Sequence, residues 1–228
     1  MSLSHSPLIV RDGLVLCLDA ANPRSYPKSG TTWSDLAGAN NGTLTNGPTF
    51  DADNKGSIAF DGSNDYINVP YSAEIGSSSF TCSAWVYNIL SLNARRNVVS
   101  RENTNNWVFA NGYTANKLNF WIYRGGWSTL VSNTTLSSSV WYYYTVSYDY
   151  SSNTQYIYIN GEFDNSTTWT GAKMSVDTNR LQIGKQANTD TISSAFGGYI
   201  SSVSMYNRAL TASEVLQNYN ATRGRYGI

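Results

Sequence analysis

The sequence predicts an all-β sandwich, built from many short strands joined by polar turns. Strand-like segments recur roughly every 8–12 residues with turn signals between them, which is typical of sandwiches rather than of alternating strands and helices. Aromatic residues make up 14% of the 228 residues, with 17 Tyr and 7 Trp, and they suit half-buried strands. Asp, Glu, Lys and Arg reach only 13%, so Asn, Ser and Thr supply most of the polarity and favour turns.

The chain is predicted to have an irregular arm, 1–10, followed by a single domain over residues 11–228. Residues 13–19 form a continuous apolar run that ends at a carboxylate, which indicates a fully buried strand. No internal repeat and no linker divides the sequence. Further strands are predicted at 57–60, 66–69, 80–87, 97–101, 107–110, 117–123, 140–148, 156–160, 181–184 and 199–206.

The predicted strand 117–123 alternates between two kinds of residue. Leu118, Phe120 and Ile122 share one face because side chains of a strand alternate, and the residue after each of them faces the other way. The pattern therefore predicts one apolar face and one face of amide and aromatic side chains.

Residues 20–49 have the composition of a long loop, with several Asn, Gly and Pro turn signals. A loop of that length is expected to carry short pieces of structure of its own. We expect Trp33 and Leu36 to anchor it in the core.

Three local signals predict a hairpin, a bulge and a helix. Asn160-Gly161 supplies the positive φ angles of a type I′ hairpin turn. Ile200 is out of phase with the apolar residues that follow it, which predicts a β-bulge. Thr211 and Glu214 form a capping box, so a short C-terminal helix is expected to begin there, to run through about Tyr219 and to stop near Gly224.

The charge pattern argues against several functions. The formal net charge is zero and the longest basic cluster is the pair Arg95-Arg96, so binding to nucleic acid or docking on an anionic membrane is not expected. No apolar run approaches the ~20 residues of a membrane span, and residues 1–10 lack the pattern of a secretory signal. Cys17 and Cys82 are too few for a disulfide framework and are expected to be buried free thiols.

An ordered series of motifs covers nearly the whole chain from about residue 11. The series resembles the laminin-G-like, concanavalin-A-like lectin/glucanase family. Its members here are GLVLCLDA (13–20), WSDL (33–36), NGTL (41–44), SIAFDG (57–62) with DY (65–66), FTCSAWV (80–86), WYYYTVSYD (141–149), YING (158–161), LQIG (181–184) and GYISSVSMYNRAL (198–210).

The resemblance implies a jelly-roll sandwich of two antiparallel sheets. The versions SYP (25–27), NGPTF (46–50) and NRALTASEV (207–215) look most like domains of tailed-phage virion proteins, those of marine cyanophages above all. Such proteins decorate capsids or form fibres and adhesins. The implied location is the virion surface, and the implied partners are other virion proteins, further copies of the chain as a homo-oligomer, and host-surface glycans.

Catalysis is not expected. Glycoside hydrolysis needs two carboxylates that flank the scissile bond, and glucanases of this superfold carry their acids together on one strand as Glu-x-Asp-x-x-Glu. No such run exists here, and the only histidine, His5, lies in the terminal arm. The remaining acids of interest are isolated or in a loop: Glu74, Glu102, Glu162, Glu214, Asp51 and Asp53.

No cofactor is expected, with Ca²⁺ as the alternative. Many relatives hold one Ca²⁺ through carboxylates and backbone carbonyls, which a hard cation prefers. The resemblance places an Asp after the Ile of the closing motif, but this chain has the neutral Ser201 there. Asp61 and Asp65 are the candidate ligands, and the alternative is that both form Asx turns around Gly62.

Sugar binding would require aromatic faces and amide side chains that are exposed together on one sheet or on a rim loop. Alternatively, some of these aromatic residues pack the core or contact a partner subunit. The candidates are Trp107, Tyr113, Trp121, Tyr123 and Trp127, with Asn119, Asn105 and Asn106 as neighbours that form hydrogen bonds.

The leading interpretation is a non-enzymatic virion surface protein, a capsid decoration protein or a fibre component, with possible glycan binding. A stand-alone carbohydrate-binding module or lectin is the alternative. A glycoside hydrolase with an atypical site is the third hypothesis.

Overall fold

A computed structural model describes residues 7–70, 72, 78–101, 106–174, 180–185 and 194–228. Within these residues the chain forms two eight-stranded antiparallel sheets and one short C-terminal helix, which confirms the predicted all-β sandwich. The strands are β1 (Leu14–Asp19), β2 (Thr32–Trp33), β3 (Gly42–Thr45), β4 (Thr49–Asp51), β5 (Ser57–Asp61), β6 (Tyr66–Val69), β7 (Phe80–Asn88), β8 (Arg96–Arg101), β9 (Trp107–Asn111), β10 (Leu118–Tyr123), β11 (Trp127–Val131), β12 (Trp141–Asp149), β13 (Thr154–Ile159), β14 (Glu162–Thr168), β15 (Leu181–Ile183) and β16 (Gly197–Tyr206).

Hydrogen bonding defines two sheets. Sheet A has the order β14-β13-β12-β7-β16-β5-β4, and β1 also pairs with β16. Sheet B has the order β11-β10-β9-β8-β15-β6-β3-β2. Neighbouring strands are far apart in the sequence at several points, as expected for a jelly roll rather than for a chain of simple hairpins.

The main core lies between the inner faces of the two sheets. Phe80 of sheet A stacks on Trp107 of sheet B with ring centroids 4.6 Å apart, and it meets Phe120 edge to face. All three rings are fully buried, and such aromatic pairs stabilise a core beyond the area they bury. This contact joins β7 of sheet A to β9 and β10 of sheet B.

The predicted loop 20–49 carries strands of its own. β2 and β3 pair with each other within it, and Trp33 is fully buried in the main core, as expected. The prediction for Leu36 was wrong, since its side chain is exposed. Residue 36 is held by its backbone instead, because its amide donates to the carbonyl of Cys17 at 2.9 Å.

The hairpin and the bulge are where the sequence predicts them. Asn160 and Gly161 have φ angles of 53° and 81°, as a type I′ turn requires, and they connect β13 to β14. The pairing of β16 with β7 shifts register between Ile200 and Ser202, which is the predicted bulge. The bulge re-aims the side chains that follow it, so Val203 reaches the core.

The helix α1 (Ala212–Thr222) begins at the predicted capping box and is followed by a 3₁₀ turn, Arg223–Tyr226. Leu210 and Val215 pack in one buried cluster, which fixes the angle at which the chain enters the helix. Within the described ranges, neither helical element has the length and apolarity needed to cross a membrane.

The C-terminal segment covers the outer face of sheet A. The Tyr226 ring stacks on Trp85 with centroids 3.7 Å apart, and Trp85 Nε1 donates to the Thr222 hydroxyl at 2.8 Å. Trp141 also meets Tyr226, at 4.9 Å. The aromatic residues on this part of sheet A are therefore used to dock the chain's own end.

Two end strands, β11 of sheet B and β14 of sheet A, are tied together at one side of the sandwich. Asp164 accepts hydrogen bonds from the backbone amides of Asn133 and Thr134 at 2.6 and 2.9 Å. Asn165 Nδ2 donates to the carbonyl of Val131 at 2.8 Å. Side chains of β14 in sheet A thus form hydrogen bonds with backbone groups at the end of β11 in sheet B and just after it.

The two cysteines are unpaired. Cys82 is fully buried and Cys17 is partly buried, so the prediction of two buried thiols holds fully only for Cys82. Burial raises the pKa of Cys17 to about 11, and the nearby carboxylates Asp19 and Asp35 raise it further. Neither thiol has the lowered pKa of a reactive cysteine.

The capping box predicts a pH-dependent contribution to stability. Hydrogen bonds from Arg208 lower the pKa of Glu214, burial opposes them, and the Thr211 amide lowers it further, to about 2. Since this pKa lies below the ordinary value of 4.5, protonation favours the unfolded chain. The carboxylate therefore stabilises the protein above about pH 4.5, and its contribution is lost as the pH falls through about 2.

The substitution Glu214→Gln is expected to lower the free energy of unfolding at pH 7 by about 0.5–1 kcal/mol. The difference from the unaltered protein should shrink as the pH is lowered towards 2. Urea denaturation at several pH values measures it. Glu162→Gln, which replaces an exposed carboxylate on β14, is the matched control. An equal effect of Glu214→Gln at all pH values would contradict the assignment.

Candidate functional site

The outer face of sheet B carries three of the predicted aromatic residues, Trp121, Tyr123 and Trp127. Register pairs Trp121 of β10 with Val108 of β9 on one side and with Thr129 of β11 on the other. Side chains directly opposite on adjacent strands lie on the same face of a sheet. The alternation predicted for β10 is confirmed, because Phe120 packs in the main core and Trp121 lies on the opposite side.

A cleft of about 220 Å³ opens on this face, above Trp121. Trp121 is buried and forms the floor, whereas Tyr113 and Trp127 are 67% and 42% exposed and form walls. The Tyr113 ring meets Trp121 edge to face at 5.3 Å, and Tyr123 meets Trp127 in the same way at 5.4 Å. We call this site the aromatic cleft; it is lined by Arg95, Val108, Tyr113, Trp121, Trp127 and Thr129.

Arg95 gives the aromatic cleft a positive charge. Its guanidinium lies 5.0 Å from the centroid of the Trp121 ring, and its Nε donates to Asn97 Oδ1 at 2.8 Å. A cation over an indole face is attracted to the ring, and the hydrogen bond to Asn97 helps to hold the guanidinium in place. The cleft therefore combines ring faces with at least one fixed hydrogen-bond donor group.

Asn119 has a different place from the one expected. Its side chain is fully buried, with Oδ1 accepting from the Thr114 hydroxyl at 2.9 Å and Nδ2 donating to the Lys117 carbonyl at 3.2 Å. Both groups lie on the β9–β10 turn, which carries Tyr113. Asn119 thus positions the Tyr113 wall and does not line the cleft.

The placement of Trp107 on the sugar-binding face was wrong. Trp107 is fully buried in the main core, stacked on Phe80, because register pairs it with the inward-facing Ile122. Asn106 is likewise buried, and its carbonyl accepts from the Tyr123 amide at 2.8 Å. Asn105 lies outside the described residues.

A second cleft, of about 290 Å³, adjoins Trp127, and the sequence analysis missed it. Arg124-Gly125-Gly126 forms the turn between β10 and β11, with Gly125 at a φ of +79°. This tight turn sets Arg124 beside the start of β11, across from Trp169. We call this second cleft the arginine cleft. It is lined by Arg124, Gly125, Gly126, Trp127, Ser128, Trp169, Gly171 and Ala172.

Arg124 itself is almost fully buried, with 8% of its surface exposed. Its guanidinium lies over the rings of Tyr148 and Trp169, at 5.1 and 5.5 Å from their centroids. Nη2 donates to Gln155 Oε1 at 2.9 Å, and this oxygen also accepts from the Ser128 hydroxyl at 3.0 Å. Burial lowers the pKa of Arg124, against the opposing influence of Tyr148.

The carboxylates that sequence analysis considered for catalysis are not gathered at either cleft. The described lining of both clefts contains no Asp or Glu. Glu214 is paired with Arg208 at the start of α1, and Glu162 is exposed on β14. Glu74 and Glu102 lie outside the described residues, as does His5.

The candidate Ca²⁺ ligands are engaged in turns. Asp61 Oδ1 accepts from the amides of Ser63 and Asn64 at 2.8 and 3.2 Å, and Asp65 Oδ2 accepts from the Asp61 amide at 2.9 Å. Burial acts to raise the pKa of Asp61, but these amide hydrogen bonds outweigh it and the pKa is lowered. Burial raises the pKa of Asp65.

Ser201, where the family pattern has an Asp, donates to the Gly56 carbonyl at 3.0 Å. The Arg225 guanidinium lies 3.4 Å from its hydroxyl and forms two hydrogen bonds with Asp19, at 2.8 and 2.7 Å. The Arg225 guanidinium therefore already places a positive charge beside Ser201. In the part of the chain that is described, no group of three or more His, Cys, Asp or Glu side chains could hold a metal ion.

Comparison with known families decides the relationship that the motifs suggested. Residues 61–216, more than half of the chain, match the concanavalin A-like lectin/glucanases superfamily. The chain belongs to this superfamily. No curated protein matches it.

Solved structures of this superfamily's fold include several binding domains. The binding domain of Paraclostridial Mosquitocidal Protein 1 aligns with a TM-score of 0.74 and 19% identity, over 92% of this chain and 52% of that one. Domain 4 of AbnA, a GH43 extracellular arabinanase from Geobacillus stearothermophilus, in complex with arabinotriose, aligns with a TM-score of 0.71 and 18% identity, over 90% and 98%.

The binding domain of botulinum neurotoxin DC, in complex with SialylT, aligns with a TM-score of 0.71 and 12% identity, over 92% of this chain and 52% of that one. The chain thus spans about half the length of the two toxin binding domains and nearly all of the arabinanase domain. At these identities the likeness shows the shared fold.

The wall of the aromatic cleft depends on Gly112. Its φ is +83°, and a Cβ added there would overlap the carbonyl oxygens of Ala94 and Leu92. Gly112→Ala is expected to lower the free energy of unfolding by about 1–3 kcal/mol, because strain in this conformation cannot relax against backbone. Urea denaturation measures the change.

Gly224→Ala is the matched control, since a Cβ there meets nothing within 4 Å. It should change the free energy of unfolding by no more than about 0.5 kcal/mol. An unchanged denaturation midpoint for Gly112→Ala would show that the turn carrying Tyr113 is not held as described.

Proposed function

We propose that this domain binds glycans without catalysing their cleavage, and that the aromatic cleft holds the sugar. One observation carries the proposal: the rings of Tyr113, Trp121 and Trp127, from a turn and two strands, meet around a single opening on the outer face of sheet B. Two of these rings, those of Tyr113 and Trp127, are substantially exposed.

The chemistry of the cleft suits a sugar ring. Ligand sites combine apolar and aromatic walls with a few fixed polar groups, and the C–H faces of a sugar match the rings while its hydroxyls match the polar groups. Arg95 and Thr129 provide such groups here. The volume of about 220 Å³ is below the ~300–1,000 Å³ of drug-sized pockets, so the cleft suits one sugar unit at a time.

The structural neighbours support the same conclusion. The arabinanase domain was solved with arabinotriose, and the neurotoxin binding domain with SialylT. Two of the three neighbours are binding domains of larger toxins, and these parallels favour binding over cleavage for this chain as well. The lack of carboxylates in the described lining of the aromatic cleft points the same way.

The biological setting we propose is the surface of a phage particle, where the domain serves as a decoration, fibre or adhesin component that contacts host-surface glycans. The motivating observation is the similarity of three sequence motifs to those of tailed-phage virion domains. Mass spectrometry of purified particles tests it: the protein must be present in stoichiometric amounts, and its absence would remove the virion setting without affecting glycan binding.

A protein partner is the second candidate for the same face. Exposed Tyr and Trp are enriched at the centres of protein interfaces, so a further copy of the chain or another virion protein could cover Tyr113 and Trp127. Sedimentation of the purified protein separates the two ideas. Self-association that Trp127→Ala abolishes, together with no binding on a glycan array with or without Ca²⁺, would favour the interface.

Tyr113→Ala and Trp127→Ala are each expected to weaken glycan binding about fivefold or more. Truncating an aromatic anchor at the centre of a binding site commonly costs more than ~1 kcal/mol. A glycan array identifies the ligand, and isothermal titration calorimetry then measures the affinity of each variant. Both residues are exposed, so the fold should be retained.

Phe163→Ala is the control, because Phe163 is 55% exposed on β14 of sheet A and does not line the aromatic cleft. It should leave the affinity unchanged. An equal loss of glycan affinity in all three variants would place the sugar elsewhere. So would an unchanged affinity in Tyr113→Ala and Trp127→Ala.

A further inference from the structure

Arg124 is the feature that the proposed function leaves unexplained. Its side chain is nearly fully buried, yet the one hydrogen bond that its guanidinium forms within the described residues goes to the neutral Gln155. The nitrogens Nε and Nη1 have no hydrogen-bond acceptor among the described residues. No Asp or Glu in the described chain forms an ion pair with it.

Other arginines of this chain show what is missing. Arg208 pairs with Glu214 at 2.6 Å, and Arg225 pairs with Asp19 at 2.7 Å. Both guanidiniums are more exposed than Arg124, with side chains 29% and 31% accessible. Water therefore stabilises the charges of Arg208 and Arg225 better than that of Arg124, and yet each of the two is also paired with a carboxylate. Arg124 has less water and no such partner within the described residues.

The two rings beside Arg124 compensate only part of its burial. The Tyr148 and Trp169 rings attract the cation through their faces and hold the guanidinium between them. They supply neither a net negative charge nor acceptors for the in-plane N–H groups. A buried charge that lacks both is costly, so the arginine cleft has a positive potential that an anionic group would neutralise.

The walls of the arginine cleft leave room for such a group. Gly125, Gly126 and Gly171 line it, and a Cβ added at any of them would meet nothing within 4 Å. Trp127 lines both clefts, so it forms the wall between the aromatic cleft and the arginine cleft. A ligand chain could therefore place neighbouring units on the two sides of one indole ring.

We propose that the arginine cleft binds the acidic group of a sugar, a carboxylate or a sulfate ester, so that the ligand of this domain is an acidic oligosaccharide. The proposal rests on the proposed function, because it assigns the next sugar unit of the same ligand. The anion accepts charge-assisted hydrogen bonds from Arg124 and so provides the missing acceptor. Nε and Nη1 are shielded from solvent, so the exposed Trp169 indole must turn aside for an oxygen to reach them.

Nuclear magnetic resonance provides the test, because the Arg124 Nε–H and the Trp indole N–H groups each give a resonance. The full chain, in about 0.15 M salt to screen surface charge, is titrated in parallel with galacturonate, galactose 6-sulfate and galactose. We expect at least one acidic sugar to shift the Arg124 and Trp169 resonances saturably, whereas galactose does not. Whichever acidic sugar does so identifies the anion as a carboxylate or a sulfate.

Arg124→Gln should weaken the binding of the acidic sugar by about tenfold or more, and should not change the response of Trp121 to a neutral sugar. Arg24→Gln, which removes an exposed arginine that lines neither cleft, should change nothing. Trp169→Ala is the second variant and leaves the buried guanidinium in place. It should keep the preference for the acidic sugar and alter its affinity.

Two negative results can be told apart. If neither acidic sugar shifts Arg124 and Trp169 more than galactose does, the anion site is overturned, and the proposed function survives through Trp121 and Trp127. If the acidic sugars shift the Arg124 resonance, but no sugar identified on a glycan array shifts the Trp121 resonance, the anion site stands and the aromatic cleft is not a sugar site. An unchanged affinity of Arg124→Gln for the acidic sugar would also overturn the inference.

Discussion

The alternation of side chains along each strand is the constraint on which both the core and the candidate site depend. On β10, Phe120 packs in the core, and Trp121 beside it forms the floor of the aromatic cleft. A shift of one residue in register would exchange the two faces, so the packing that fixes the register also fixes the cleft. Sheet A uses its outer rings differently, since Tyr226 stacks on Trp85 and closes that area.

Local signals were sufficient to predict most of the fold. The Asn160-Gly161 turn, the bulge after Ile200 and the capping box at Thr211 each depend on a few adjacent residues, and the structure has all three. The strands β2, β3, β4 and β11 were not predicted, and β2 and β3 lie among the Asn, Gly and Pro turn signals of residues 20–49. β3 pairs with β6, and no local sequence pattern reveals a pairing between segments that are separated in the sequence.

The candidate site was predicted only in part. Alternation placed Trp121 correctly, but an isolated strand cannot show which of its faces points inward, and Trp107 was assigned to the wrong one. Its pairing with Ile122 decides that question, and pairing is a property of the folded sheet. Arg124 and Trp169 are far apart in the sequence and share no motif, so only the Arg-Gly-Gly-Trp turn could have drawn attention to the arginine cleft.

The tie between β11 and β14 has a consequence for crowded copies of the chain. An open sheet edge offers unpaired backbone groups to a strand of another molecule, which is a common route to fibrous aggregation. Asp164 and Asn165 occupy such groups where the last strands of the two sheets meet. Many copies could therefore be packed densely side by side with less risk that this edge would seed intermolecular β-structure.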